Sequence, residues 1–309
     1  MAKYFMPGPD DGLLRGALTW ARTGKRPRPS FPHVVQFQTV SACNARCAFC
    51  AHGSNPEEIK HGRMEDALIE KIIAECSRNF VGRMSPFLTN EPLLDKRMPA
   101  ILAAIRKAFW YPVKTKINTN AALLTIDVGR KLLDARLSRI VISVNGYSPE
   151  SYRQAMGLDF ETTMGNINAF LDLKKTLGAR RPKVIISTLK TNLVEHELEK
   201  AREYWAARDV KFDLHHLDNR VGEEIISGIR RSSDVFKYNR NCDFFMKHAC
   251  IVENGDMIIC CHDWRQSVVV GNISRTSIAE VWNSDHFRGL IYDFYAEKFD
   301  RLEICRNCG

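Results

Sequence analysis

Long apolar runs are missing from this chain of 309 residues. No stretch approaches the roughly 18 apolar residues that a membrane-spanning helix needs. A secretion signal is also missing, because Lys3, Asp10, Asp11 and Arg15 interrupt any apolar segment near the N-terminus. The hydrophobic fraction of 45% is still large enough for a substantial core. We therefore expect a cytoplasmic protein with one large and one small domain and no membrane partner.

Basic segments interleaved with aromatic residues, which are typical of nucleic-acid platforms, are missing too. The formal net charge is +9, and its densest basic segment runs from Lys25 to Pro29. That segment alternates cations with proline, which is typical of a solvated and stiffened linker. We do not expect nucleic acid as a partner.

Cysteine, in contrast, is abundant, with ten residues in the chain. Without a secretion signal, this number favours metal binding over disulfides. Cys43, Cys47 and Cys50 form a C-x3-C-x2-C motif directly after the β-like residues 34–40. Three thiolates on one loop can ligate three irons of a 4Fe–4S cluster and leave the fourth iron open. Structural zinc, with His52 as a fourth ligand, is the alternative.

Strand and helix patterns alternate from residue 31 onward. Helical apolar spacing over 68–76 predicts that Cys76 is a buried structural cysteine. Thr125 and the segment 192–195 are predicted to begin helices. The six β-like segments are 34–40, a run ending at 87–89, 113–119, 138–144, 183–189 and 210–216. Because no seventh or eighth unit follows, the predicted fold class is α/β, with a parallel sheet curled into a partial (β/α)6, TIM-like barrel.

A second set of cysteines lies near the C-terminus. Cys242 and Cys260 belong to a C-x12-G-x4-C pattern, and Cys305 and Cys308 form a late C-x2-C pair. Residues 251–260 are predicted to form a hairpin that turns at 254–255, and 277–280 form a capping box before a short helix. Four thiolates can complete either a 4Fe–4S cluster without an open iron or a structural zinc site.

These motifs resemble those of a known family. The first cysteine loop, with Phe49 before its last cysteine, resembles the signature of the radical S-adenosylmethionine (radical SAM) enzymes. The C-terminal pattern resembles the start of a SPASM domain in its shorter twitch form, a small cysteine-rich domain with one auxiliary cluster. The resemblance covers roughly residues 34–309. We therefore divide the chain into a preface (1–30), a radical SAM partial barrel (31–220) and a SPASM/twitch domain (221–309).

The resemblance implies a set of cofactors and an electron donor. S-adenosylmethionine would bind the open iron of the first 4Fe–4S cluster, and its reductive cleavage would give a 5′-deoxyadenosyl radical that abstracts a substrate hydrogen. An external flavodoxin-like or ferredoxin-like protein would supply the electron. The second set of cysteines would hold an auxiliary 4Fe–4S cluster.

The resemblance also assigns residues at the ends of the predicted strands, where barrels of this kind place their functional groups. Residues 89–92 resemble the family's Gly-Gly-Glu-Pro motif, whose carboxylate holds the methionine amine. Residues 118–120 resemble its Thr-Asn-Gly segment, and 143–146 its Ser-x-Asp-Gly segment. The implied cofactor-binding residues are Phe49, Asn90, Glu91, Asn118, Ser143, Asn145 and Lys190. Asp218, Asn219 and Arg220 follow the sixth strand as further pocket candidates.

Twitch enzymes include deoxy-scyllo-inosamine dehydrogenase, and neomycin C epimerase is related to them. The resemblance thus implies dehydrogenation or epimerisation of a small, sugar-like or aminocyclitol-like substrate. Epimerisation would use Cys250 or Cys261 as the hydrogen donor. Peptide modification is the second hypothesis, because residues 1–30, with a helical pattern over 13–21, are too short for a winged-helix leader-peptide reader. A zinc- or cluster-stabilised nucleic-acid-binding protein is the non-enzymatic alternative.

Overall fold

The fold was obtained as a computed structural model, which describes residues 4–5, 26–216, 242–306 and 308. The predicted helix over 13–21 and the candidates Asp218, Asn219 and Arg220 lie outside the described residues. The strands are β1 (Tyr4–Phe5), β2 (Arg26–Pro27), β3 (Val34–Phe37), β4 (Arg83–Ser85), β5 (Lys114–Thr119), β6 (Arg139–Ser143), β7 (Lys183–Lys190), β8 (Lys211–His216), β9 (His248–Ile251), β10 (Asp256–Ile258) and β11 (Val269–Asn272).

The described helices connect these strands and cover the sheet. They are α1 (Ala51–Ser54), α2 (Asp66–Ser77), α3 (Met98–Ala108), α4 (Ile126–Asp134), α5 (Pro149–Met156), α6 (Phe160–Thr176), α7 (Leu198–Ala206), α8 (Ile278–Asn283), α9 (Asp285–Tyr295) and α10 (Glu303–Arg306). None of the helices in the described part of the chain has the length and apolar character needed to cross a bilayer.

One sheet of nine strands organises the molecule, in the order β11-β10-β9-β3-β4-β5-β6-β7-β8. Strands β3 to β8 pair in parallel with their neighbours in chain order. Parallel neighbours need a crossover connection, and the intervening helices supply it on one face of the sheet. The predicted partial barrel of six β/α units is confirmed.

The ends of the predicted elements shift by a few residues. Strand β4 ends at Ser85, before the predicted 87–89, because the chain turns there and the Leu88 N–H donates to Asn90 Oδ1 at 3.0 Å. The Thr125 cap is confirmed, since its hydroxyl accepts a hydrogen bond from the Val128 N–H at 3.3 Å.

The predicted helix start at 192–195 is wrong. A 3-10 turn, Glu195–Glu197, comes first and has no side-chain cap, and helix α7 begins only at Leu198. The carboxylate of Glu195 pairs instead with the Lys190 ammonium at 3.1 Å. An ion pair with the end of β7 thus replaces the predicted cap.

The C-terminal segment joins the same sheet. Strand β9 pairs in parallel with β3 and antiparallel with β10, and Gly255 adopts φ +90° in the connecting turn, so the predicted hairpin is confirmed. The capping box of Ser277 and Glu280 at the start of α8 is also confirmed. Strands β3 to β8 and strands β9 to β11 share one sheet, and the proposed domain boundary at residue 221 stays a prediction.

Two hydrophobic cores lie against the sheet. One packs Ile117, Ile140 and Ile142 against helices α3 and α4. The other joins the first strands to α8 and α9 and contains Trp282 and the fully buried Cys76, as predicted. All ten cysteines are among the described residues and are free thiols.

Candidate active site

A cavity of about 280 Å³ opens at the carboxyl ends of strands β3 to β7. Loops that are distant in sequence meet there because the ends of parallel strands share one edge of the barrel. The cavity brings together nine of the predicted residues, namely Cys43, Cys47, Phe49, Cys50, Asn90, Glu91, Asn118, Ser143 and Asn145. Their individual roles stay predictions.

The loop after β3 presents three thiols to this cavity. The Cys50 N–H donates to the Cys47 carbonyl at 3.1 Å, and the Ala45 N–H lies 3.4 Å from Cys43 Sγ. Burial, with smaller contributions from the nearby Glu91 and Cys50, raises the pKa of Cys43 to about 11. Metal ions bind the thiolate form and reverse this preference for the neutral thiol. The donor set therefore fits an iron–sulfur cluster.

Glu91 borders the cavity, and only 2% of this residue is exposed. It accepts hydrogen bonds from the Leu93 N–H at 3.0 Å, the Thr119 hydroxyl at 2.7 Å and the Asn120 N–H at 2.8 Å. Burial nevertheless raises the pKa of Glu91 to about 7, against the opposing effect of these donors. No cation among the described residues forms an ion pair with it, so the site suits a ligand ammonium group.

Three asparagines supply further polar atoms. Asn90 Nδ2 and Asn118 Oδ1 are buried and have no hydrogen-bond partner. Asn145 Oδ1, in contrast, accepts a hydrogen bond from the Leu189 N–H at 2.8 Å. Buried polar atoms in native proteins are nearly always paired, so the two unpaired atoms indicate a polar ligand in this cavity. They fit the hydroxyl and amine groups of a nucleoside joined to an amino acid.

Three predicted residues lie apart from the cavity lining. Lys190 pairs with Glu195, as described above. Cys250 is completely buried among apolar side chains such as Val252 and Ile258. Cys261 is partly buried against the same apolar group and hydrogen-bonds to Cys260. The proposed roles of Lys190, Cys250 and Cys261 stay predictions.

Several residues that line the cavity are not among the predicted cofactor contacts, namely His52, Thr119, Asn120, Met156, Ser187, Leu189 and Trp264. Trp264 is the least predictable of these, because it reaches the cavity from the C-terminal segment, just after Cys260 and Cys261. Ser187 shows a weaker signal, since it alternates with core residues along β7.

The second set of cysteines gathers away from this cavity. Cys242, Cys260 and Cys305 are partly buried against the core that joins β3 to the C-terminal helices. Burial raises the pKa of Cys305 to about 12, and the adjacent thiols of Cys242 and Cys308 contribute. Within the described residues no group of three or more histidine, cysteine, aspartate or glutamate side chains is arranged to hold a metal ion. The thiols nevertheless border a common region, and four such donors fit an iron–sulfur cluster.

Two family models match the chain over these two regions. The radical SAM superfamily model matches residues 37–179, which include the first three cysteines. The SPASM model, described as an iron–sulfur cluster-binding domain, matches residues 242–309, which include the second set. These matches imply S-adenosylmethionine and 4Fe–4S clusters as the cofactors, in place of zinc.

The chain is also similar to individual proteins. The S-adenosyl-L-methionine-dependent 2-deoxy-scyllo-inosamine dehydrogenase of Niallia circulans is 22% identical over 279 residues, which cover 89% of this chain and 92% of the relative. A probable GTP 3′,8-cyclase of Methanococcus maripaludis is 29% identical over 152 residues, about half of each chain.

Solved structures support the fold. BtrN in complex with AdoMet and 2-DOIA aligns with a TM-score of 0.62 at 19% identity, covering 90% of this chain and 92% of BtrN. Streptococcus suis SuiB bound to precursor peptide SuiA aligns with a TM-score of 0.70 at 16% identity, covering 90% of this chain and 70% of SuiB. With both family models matched and the strand-end cavity in place, the chain carries a radical SAM domain over residues 37–179 and a C-terminal SPASM domain over residues 242–309.

Proposed function

We propose that the protein is a radical SAM dehydrogenase of a small polar molecule of the sugar or aminocyclitol type. The observation that carries this proposal is the alignment with the Niallia circulans dehydrogenase, which spans nearly the whole of both chains. Both the cavity region and the second cysteine region therefore have a counterpart in an enzyme that acts on a small molecule.

In this proposal, different residues of the cavity hold the cluster and S-adenosylmethionine. Cys43, Cys47 and Cys50 would ligate the first cluster and leave one position for S-adenosylmethionine, whose reductive cleavage supplies a hydrogen-abstracting 5′-deoxyadenosyl radical. The Glu91 carboxylate, held by three donors, would receive the ammonium group of the methionine moiety. Asn90 Nδ2 would donate to an oxygen atom of the same ligand.

The first test measures S-adenosylmethionine cleavage. Protein reconstituted anaerobically with iron and sulfide is mixed with S-adenosylmethionine and dithionite, and 5′-deoxyadenosine is quantified beside a Cys43/Cys47/Cys50→Ala triple variant. We expect nucleoside from the parent protein only. Dehydrogenation then predicts a product that has lost two hydrogen atoms when an alcohol substrate from a panel of sugars and aminocyclitols is oxidised to a ketone. A product of unchanged mass would contradict dehydrogenation.

Epimerisation is the second candidate, with Cys261 as the less enclosed of its two candidate donors. The thiol of Cys261 is an electrostatic neighbour of Lys116, which lies on the interior face of the barrel, whereas Cys250 is fully enclosed. Solvent deuterium in the product, lost in Cys261→Ala and retained in Cys250→Ala, would favour epimerisation with Cys261 as donor. A ketone product without deuterium would exclude it.

Peptide modification is the remaining enzymatic candidate, supported by the structural similarity to SuiB. Saturable binding of a leader peptide would support it over the small-molecule proposal. For every candidate we propose a flavodoxin-like or ferredoxin-like electron donor and a cytoplasmic location. Faster 5′-deoxyadenosine formation with such a donor than with dithionite alone would support the former.

A further inference from the structure

The interior face of the barrel carries basic side chains below the cofactor cavity. Along β5, Ile117 is fully buried in the core on the helix side, so Lys116 and Asn118 point to the opposite, interior side. Asn118 borders the cavity, and Lys116 therefore lies one layer below it. The same alternation places Arg83 and Ser85 on the interior side of β4, because Met84 is fully buried in the core between them.

Three cations meet in this lower layer. Lys116, Arg83 and Arg139 are electrostatic neighbours of one another, and we call them the cationic layer. Burial lowers the pKa of Lys116 to about 8, and repulsion from Arg83 and Arg139 adds to the effect. The ammonium lies 5.8 Å from the ring centroid of Phe87, which itself borders the cavity.

The cationic layer has no anionic partner in the described part of the chain. None of its three side chains forms an ion pair there, although ion pairs are found at many other sites. Lys116 and Arg83 are partly buried and Arg139 is exposed at the start of β6, and like charges gathered around a partly buried site destabilise the fold unless a counter-charge is present. An arrangement of this kind is typical of a site that binds an anion.

Unpaired hydrogen-bond donors point to the same conclusion. Arg83 Nε and Ser85 Oγ are buried without a partner, and Ser85 is only 1% exposed. Met84 pairs with Thr115, so Ser85 and Lys116 lie one step further along their adjacent strands. A buried polar atom without a partner loses its hydrogen bonds to water and destabilises the fold. An oxygen-rich ligand would satisfy these donors together.

We propose that the cationic layer, with Ser85, binds an oxyanion of the substrate, a phosphate or carboxylate group. This inference rests on the proposed function and narrows its substrate class to acidic small molecules such as sugar phosphates or sugar acids. Guanidinium and ammonium groups are the usual partners of such oxyanions. Lys116 is also an electrostatic neighbour of Cys261 in the C-terminal segment. An aminocyclitol, which carries ammonium groups, would be repelled there.

Equilibrium dialysis of the reconstituted holoprotein against radiolabelled inorganic phosphate tests the proposal. We expect Lys116→Met and Arg83→Met each to weaken phosphate binding by about tenfold or more, and Ser85→Ala by roughly threefold. Arg106→Met removes an exposed cation from helix α3 and serves as the matched control with no effect. Thermal melting identifies any variant that fails to fold, and Lys116→Gln is the replacement variant in that case.

Competition experiments then distinguish the sources of the oxyanion. A hexose phosphate or glucuronate should displace labelled phosphate, whereas glucose and glucosamine should not. Displacement by the hexose phosphate alone assigns the site to phosphate esters, and displacement by glucuronate alone assigns it to carboxylates.

Three results would overturn the proposal. They are equal phosphate binding by Lys116→Met and Arg106→Met, tighter binding of glucosamine than of the hexose phosphate, and an altered reduction potential of the second cluster in Lys116→Met with unchanged phosphate binding. The last result would assign the cations to neutralising the cluster thiolates. Formation of 5′-deoxyadenosine in the same preparations separates the two proposals, because cleavage without anion binding would remove only the present one.

Discussion

The two sets of cysteines in this protein are built in opposite ways. Cys43, Cys47 and Cys50 come from one loop directly after β3 and border an open cavity. The second set joins Cys242 and Cys260 to the C-terminal pair at 305 and 308, and most of it packs against a large core. A site that exchanges its ligand can therefore be built on one loop, whereas a closed site draws its ligands from elements already fixed by tertiary packing.

Replacing one cysteine of each set should give the largest difference in cleavage activity and stability between the two sites. We expect Cys47→Ala to lower S-adenosylmethionine cleavage by roughly two orders of magnitude or more, because its cluster loses one of only three protein ligands. Cys305→Ala should keep cleavage within about tenfold but lower the free energy of unfolding by about 2–4 kcal/mol, because it removes a ligand held against the core. Nucleoside yield, iron per chain and urea unfolding measure these effects. Equal loss of cleavage in both variants would contradict the separation of roles.

Glu91→Gln should affect only the open site, because it removes the negative charge of the Glu91 carboxylate there. We expect S-adenosylmethionine to bind about tenfold more weakly or worse, because a neutral amide cannot pair with the ligand ammonium. Isothermal titration with the reconstituted protein measures the affinity. Asp127→Asn, which changes an exposed carboxylate on helix α4, is the control. Unchanged affinity in Glu91→Gln would remove Glu91 from the cofactor site.

The same residue gives a dependence of stability on pH. Burial raises the pKa of Glu91 to about 7, so the folded, cofactor-free protein binds this proton more tightly than the unfolded chain does. Its contribution to stability is present below the ordinary glutamate pKa and is lost as the pH rises toward 7. We expect the free energy of unfolding to fall by about 1–3 kcal/mol over this range, and the part due to Glu91 to vanish in Glu91→Gln. Urea unfolding across the range measures it, and an identical slope in the variant would assign the dependence to other groups.

Cys76 belongs to neither set of cysteines, and its replacement should have the smallest effect on the protein. It is fully buried on helix α2, and burial alone accounts for most of the increase in its pKa. We expect Cys76→Ala to cost about 1–2 kcal/mol of stability and to leave iron content and cleavage unchanged, because the thiol serves only as a small apolar group. Loss of iron from this variant would contradict the division of the cysteines into two metal-binding sets.

Local signals in the sequence account for much of this structure. The loop of Cys43 to Cys50 and the caps of Thr125 and Ser277 are predictable because each depends on residues a few positions apart. The helix start at 192–195 fails because Glu195 pairs with Lys190 at the end of β7 and does not cap a helix. Trp264 in the cavity and the gathering of Lys116, Arg83 and Arg139 are unpredictable for a different reason, since they depend on how separate strands align.

The parallel pairing of β9 with β3 has a consequence for synthesis of the chain. Strand β3 is made early, yet one of its edges stays unpaired until residues 248–251 have left the ribosome. An open edge beside an apolar core is a template for wrong pairing, and contacts between distant residues form slowly. The nascent protein therefore carries the loop of Cys43 to Cys50 on an incomplete sheet for most of translation. We expect truncations before residue 248 to aggregate and to depend on chaperones.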